Sequence, residues 1–252
     1  DIIDKGIQEN YKSAKDFLEA LKLKLENINT NLSIKYILVP GNHDCNFNYD
    51  NQLRKNSLKT LSYDTIGKDN SVIDLCLTVQ NDFWDFYNEL NDSPNNKLFY
   101  QIYDEWENNS ICFNCLNTAW MSQKSETNNL FFPVKKINNQ HGFKKGKINI
   151  SVLHHPIFWF TPNGEQNNRK ELENFLGNIS SIILCGHEHE EEHKKSKELW
   201  SNRETLYFSG KILQGDNSSN SGFQLLLIDI SNNIGRLKQF DWEIDIYLPK
   251  TS

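Results

Sequence analysis

Three times in this chain an apolar, β-prone run stops at residues suited to binding metals and moving protons. Ile34-Lys35-Tyr36-Ile37-Leu38-Val39 leads into Pro40-Gly41-Asn42-His43-Asp44. Ile148 to Leu153 leads into His154-His155-Pro156, and Ile182-Ile183-Leu184-Cys185 into Gly186-His187-Glu188-His189. Short apolar runs bounded by Gly or Pro read as strands buried in an α/β sheet. Open α/β sheets bind ligands at the carboxyl ends of their strands. The pattern therefore predicts an α/β fold that brings Asn42, His43, Asp44, His154, His187 and His189 to one edge. Gly186 is expected to let the turn after its strand bend tightly.

Composition bounds what such a fold can be. At 252 residues and 29.5 kDa with 37% hydrophobic content, the chain can bury one substantial core and reads as one domain over residues 1–252. Lys+Arg 27 against Asp+Glu 33 gives a mildly acidic field, which disfavours a dedicated nucleic-acid surface but leaves room for a local basic groove. No apolar run of about 18 residues and no signal-like start occur, so the expectation is a cytoplasmic protein with no membrane partner. The five cysteines are scattered. Cys112 and Cys115 form a lone CxxC with no second pair to complete a zinc knuckle, and on a strand they point to opposite faces. Packed, reduced thiols are expected, with Cys45 the one to watch for metal-linked oxidation.

Along the chain, Asp1-Ile2-Ile3-Asp4-Lys5-Gly6 looks like a strand end whose strand lies upstream. Ala14, Phe17, Leu18, Leu21, Leu25 and Ile28 fall at helical spacing and predict a helix from about Gln8 to Glu26, packed on the sheet. Residues 46–97 read as an insertion framing the site, partly helical from Gln52 to Leu61, with a short helix around Phe83, Phe86, Tyr87 and Leu90. Leu98 to Trp106 and Ile111 to Trp120 predict a hairpin, and Asn168 to Leu176 a helix before strand Ser181 to Cys185. Thr205 to Ser209, Phe223 to Ile230 and Arg236 to Trp242 are expected to close a second, mostly antiparallel sheet.

Taken on its own chemistry, the set Asp1, Asn42, His154, His187 and His189 mixes carboxylate, amide oxygen and imidazole. Such a set suits Mn²⁺, Fe or Zn²⁺ better than Ca²⁺ or a thiolate site. In order and spacing these residues resemble the calcineurin-like metallophosphoesterases, a dinuclear-metal superfamily that includes purple acid phosphatases, Ser/Thr phosphoprotein phosphatases and certain nucleases. The family pattern runs D-x-H, G-D-x-x-D, G-N-H-D/E, H-H-P or H-S-P, then G-H-x-H. Gly41-Asn42-His43-Asp44 and Gly186-His187-Glu188-His189 match fully. Asp1-Ile2-Ile3-Asp4 matches the second block without its leading Gly, and His154-His155-Pro156 the fourth. The D-x-H block is absent and is expected upstream of Asp1, in a larger multidomain chain.

The resemblance implies a four-layer α/β/β/α sandwich holding two divalent transition metals, with Mn favoured. It implies that Asp1 bridges both ions, that Asn42, His154 and His187 bind the second, and that His189 helps bind the first. His43 would contact the phosphate and protonate the leaving oxygen, with Asp44 holding its ring. A metal-activated hydroxide would attack phosphorus in line.

Other positions carry plainer expectations. His155 is read as packing, Asp4 as a helix-entry cap, Lys5, His141 and His193 as solvated, Phe158-Trp159-Phe160 as strand-edge core, and Glu190-Glu191-Glu192 as an exposed acidic turn. Three functions stay open: a phosphomonoesterase or phosphodiesterase acting on a phosphate ester such as a nucleotide; a nuclease, favoured by Lys135-Lys136 and Lys144-Lys145-Gly146-Lys147; and a non-catalytic scaffold.

Overall fold

The computed structural model describes residues 1–61, 66, 70–126, 130–138, 143–162, 168–188, 192–197, 204–213, 221–232, 234–243 and 245–250. The architecture is mixed α/β. A hairpin, β1 (Phe99–Trp106) and β2 (Asn109–Leu116), leads into β3 (Ile148–Leu153), β4 (Ile182–Cys185), β5 (Glu192–Lys197) and β6 (Glu204–Ser209), which form one six-stranded sheet in the order β1-β2-β3-β4-β6-β5. β2, β3, β4 and β6 run parallel, while β1 and β5 are antiparallel edge strands. The parallel run puts Leu116, Leu153, Cys185 and Ser209 at one edge, where the loops bearing the candidate residues emerge.

Strand alternation divides the core in two. Phe99, Leu116, Leu153 and Ile183 face one side with Leu172, Phe175 and Leu176 of the helix Asn168–Ile179. Tyr100, Cys115 and the half-buried Ile102 and Phe113 face the other, against Phe83, Trp84, Phe86 and Tyr87 of Asn81–Leu90 and Tyr11 of α1 (Gln8–Ile28). Fully burying a side chain of this size contributes roughly 1.5–3 kcal/mol, so this aromatic group anchors α1 to the sheet. Residues 46–97 feed both halves, because helices Gln52–Lys59 and Ser71–Leu77 place Leu58, Ile73, Cys76 and Leu77 in the first.

Several expectations are corrected. Ile34 to Val39 forms no strand ladder. It lies against the second core through Leu38, and the Leu38 carbonyl accepts the Tyr100 hydroxyl instead of a neighbouring amide. The α1 stripe is narrower than its periodicity suggests: Tyr11, Ala14 and Leu18 pack inward, whereas Phe17, Leu21, Leu25 and Ile28 are exposed. β2 stops at Leu116, because the Leu116 carbonyl accepts the Thr118 amide in a tight turn. Glu204–Ser209 joins the main sheet, since Leu206, Tyr207 and Phe208 pair in register beside β4. The second sheet is made by Gly222–Asp229, Ile234–Glu243 and Ile246–Pro249, all antiparallel. Glu192 opens strand β5, and Ile157–Trp159 is a 3₁₀ turn.

Candidate metal centre

The strand β3 hands His154 and His155 to the sheet edge, and β4 hands over Gly186 and His187. The Gly186 amide bonds the His154 carbonyl at 3.1 Å, which locks the two turns side by side. Gly186 does not carry the bend by its lack of a side chain. A Cβ there would meet only the His154 ring, at 3.8 Å, and the left-handed residue is His187, at φ 75°. A histidine held there is under backbone strain of the kind found at functional sites.

Four of the expected side chains converge. His154 Nε2 lies 2.8 Å from Asn42 Oδ1, 3.0 Å from His187 Nδ1 and 3.5 Å from Asp1 Oδ2, and His187 Nδ1 lies 3.2 Å from Asn42 Oδ1. Donors ringed around one first-row ion at roughly 2.1 Å stand about 3.0 to 3.4 Å from one another in octahedral or tetrahedral geometry. The set is nitrogen and oxygen, with no thiolate, as Mn²⁺, Fe or Zn²⁺ prefer. His154 is almost wholly buried, and burial holds its pKa well below the usual imidazole value. It is therefore neutral, the form that can donate a lone pair. Asp1 is fixed by the His43 amide, which donates to Oδ1 at 2.9 Å. The residues fit a metal ion. His189, the remaining expected ligand, lies outside the described residues, as do His141, Glu190 and Glu191.

Beside this cluster stands His43, with its side chain 47% exposed. Its ring partner is not Asp44. His43 Nδ1 lies 2.9 Å from Asp4 Oδ1, and hydrogen bonding to His43 lowers the Asp4 pKa. Asp44 is fully buried and its carboxylate is taken up elsewhere, accepting the amides of Ile2 (3.1 Å), Ile3 (3.3 Å) and Gly41 (2.9 Å) and the hydroxyl of Tyr11 (3.2 Å). Asp44 thus ties residues 1–3 to the Gly41 turn. Asp4 serves His43 and not the helix entry, where Ile7 is the cap residue. D-x-x-D spacing was the only sequence hint of this role. Tyr11, 33 residues from Asp44, left none.

Two glycines are required here. A Cβ at Gly41 would sit 2.1 Å from Asp1 Oδ1 and 2.7 Å from His154 Nδ1. Gly6, at φ +53°, passes so close that a Cβ would be 2.5 Å from the Cys45 carbonyl carbon. Cys45 itself is buried, and burial pushes its thiol pKa up, away from oxidation chemistry. All five cysteines are free and buried. Trp159 packs edge-on to His187 at 4.2 Å between ring centres, and its indole N–H bonds Glu188. His155 is fully buried with both ring nitrogens engaged, so it is a packing residue although its nitrogens lie near those of His154 and His187.

One of the two basic groups stands away from this edge. Lys144, Lys145 and Lys147 precede Ile148, so the length of β3, about 20 Å, separates them from His154. Among the described residues no helix is long and apolar enough to cross a membrane.

A solved structure described as a hypothetical protein from Thermus thermophilus is similar over 61% of this chain and 61% of its own length, at 12% identity and a TM-score of 0.30, too distant to carry an argument. No curated protein matches. The family model for calcineurin-like phosphoesterases matches residues 1–191, the stretch that contains the whole metal-type cluster, and the chain belongs to that family.

Proposed function

We propose that this protein is a metal-dependent hydrolase of phosphate esters, acting on a phosphomonoester or phosphodiester such as a nucleotide. One observation carries the reading: Asp1, Asn42, His154 and His187 present donor atoms 2.8 to 3.5 Å apart, next to an exposed histidine paired with a carboxylate. Asp1, Asn42, His154 and His187 would hold the metal, with His189 as a further ligand. A pair of divalent ions, Mn²⁺ by preference, would supply an activated water and neutralise charge on the phosphoryl group.

The chain's own residues do the rest. Asp4 accepts the His43 Nδ1–H, which leaves His43 Nε2 free to face solvent and the incoming ester. From Nε2 a proton passes to the leaving oxygen as the ester bond breaks, and the carboxylate steadies the imidazolium beforehand. Asp44 and the Gly41 turn keep Asp1 and Asn42 in register with the two histidine turns. The nuclease alternative loses the support of Lys144, Lys145 and Lys147, which lie at the far end of β3. The scaffold alternative leaves the His43–Asp4 pair without a purpose.

The test is elemental analysis and turnover with the full chain. Wild type loaded with Mn²⁺ is expected to carry near-stoichiometric metal and to hydrolyse bis(p-nitrophenyl) phosphate or p-nitrophenyl phosphate, with loss on chelation. Absence of both metal and turnover refutes the proposal.

A further inference from the structure

We infer that Glu126 is a positioning residue of the metal centre, acting through His155 and Thr118. This rests on the metal-binding reading above. Glu126 sits in a polar stretch that nothing in the motifs singles out, yet its side chain is only 8% exposed and its Oε2 lies 3.1 Å from Nε2 of the fully buried His155. Its stretch is anchored as well: the buried Arg54 donates from Nη2 to the Ser122 carbonyl at 2.7 Å.

The proton inventory assigns one tautomer. Thr118 Oγ1 accepts the amides of His154 at 3.2 Å and His155 at 3.0 Å, which uses its lone pairs. Its single O–H proton is left for His155 Nδ1, 3.3 Å away. Nδ1 is then the acceptor, so Nε2 carries the hydrogen and donates it to Glu126. Every donor on the path from backbone to carboxylate has an assigned acceptor, and a buried carboxylate gains a charge-assisted bond.

The consequence falls on the ligands. The His155 ring packs against His154 (centres 4.7 Å apart, 82° between planes) and His187 (4.5 Å, 53°). It forms the wall behind both imidazoles, and Glu126 fixes its tilt. Outer partners that orient metal ligands are worth roughly 10- to 100-fold in affinity.

Manganese affinity of the full chain, read from the EPR signal of free Mn²⁺, tests this, together with the visible spectrum of the Co²⁺ form and the ¹⁵N shifts of His155. Glu126→Gln is expected to raise the Mn²⁺ Kd about tenfold and to alter the Co²⁺ bands, with Glu126→Asp closer to wild type; wild type should show a protonated Nε2. Should Glu126→Gln fail to fold by circular dichroism, Thr118→Val, which cuts the other end of the path, must weaken Mn²⁺ by a similar factor. A well-folded Glu126→Gln with wild-type Kd and Co²⁺ spectrum, or a folded Thr118→Val with unchanged Kd, overturns the inference. Wild type that binds no metal overturns the functional reading instead.

Discussion

Gly41→Ala adds one carbon at the most crowded point of the site. The backbone there is not left-handed, so alanine is conformationally acceptable and the effect isolates contact. The new Cβ would be 2.1 Å from Asp1 Oδ1 and 2.7 Å from both Asp1 Cγ and His154 Nδ1. Non-bonded heavy atoms settle near roughly 3.5 Å, so Asp1 must retreat by about 1 Å or more. It cannot do so freely, because Oδ1 is tied to the His43 amide and His154 is 3% exposed. Displacements near 1 Å in a catalytic constellation cost about 100-fold in rate, or about 2.7 kcal/mol of transition-state stabilisation. The overpacking itself costs about 1–3 kcal/mol of stability. The assay is kcat/KM for bis(p-nitrophenyl) phosphate at saturating Mn²⁺, beside a thermal melt. A folded Gly41→Ala protein within about threefold of wild type would refute the claim that Asp1 and His154 must sit where the structure puts them.

Other outcomes follow from the same geometry. His43→Ala is expected to lower kcat by about 10²- to 10⁴-fold, and Asp4→Asn to lower it less. The double variant should match His43→Ala, because the two act as one unit; additive losses in kcat would show that they do not. Gly6→Ala forces a left-handed alanine against immovable backbone of Asp44, Cys45 and Asn46. A loss of about 3 kcal/mol, or roughly 10 °C in Tm, is expected by calorimetry, and a shift under about 2 °C would contradict the backbone placement. Burial raises the pKa of Glu126, but the hydrogen bond it accepts from His155 outweighs that and leaves it below the ordinary 4.5. A depressed folded pKa gives stability that is complete above the unfolded value and is lost as pH falls through the folded one. The stability gap between wild type and Glu126→Gln should therefore be constant above pH 4.5 and shrink below it, in urea titrations across that range. A gap that grows on acidification would reverse the sign.

The metal-type residues were legible because each donor is carried by a local pattern, an apolar run followed by a turn rich in Gly, Asn and His. His154 and His187 needed no more than that, since β3 and β4 are neighbours in register. What each polar side chain does there was not legible. Asp44 is adjacent to His43 in sequence but spends its oxygens on Ile2, Ile3, Gly41 and Tyr11, whereas Asp4, 39 residues away, reaches the ring. Glu126 carries no local signal, because the partner that makes its burial tolerable comes from the end of β3, 29 residues on. Apolar pattern also misjudged Ile34 to Val39, whose composition is that of a strand but whose backbone finds no ladder.

The sequence by itself determined the donor types and the order in which they arrive, and with them the family, because those depend on side-chain chemistry and on short-range turn signals. Only the tertiary structure decided which carboxylate holds His43, that His155 and Glu126 pair behind His154 and His187, and that the stretch Lys144 to Lys147 lies a full strand away from them. Hydrogen-bond partnership depends on distances of about 3 Å between residues far apart in the chain, and those distances exist only once the parallel strands have set their register.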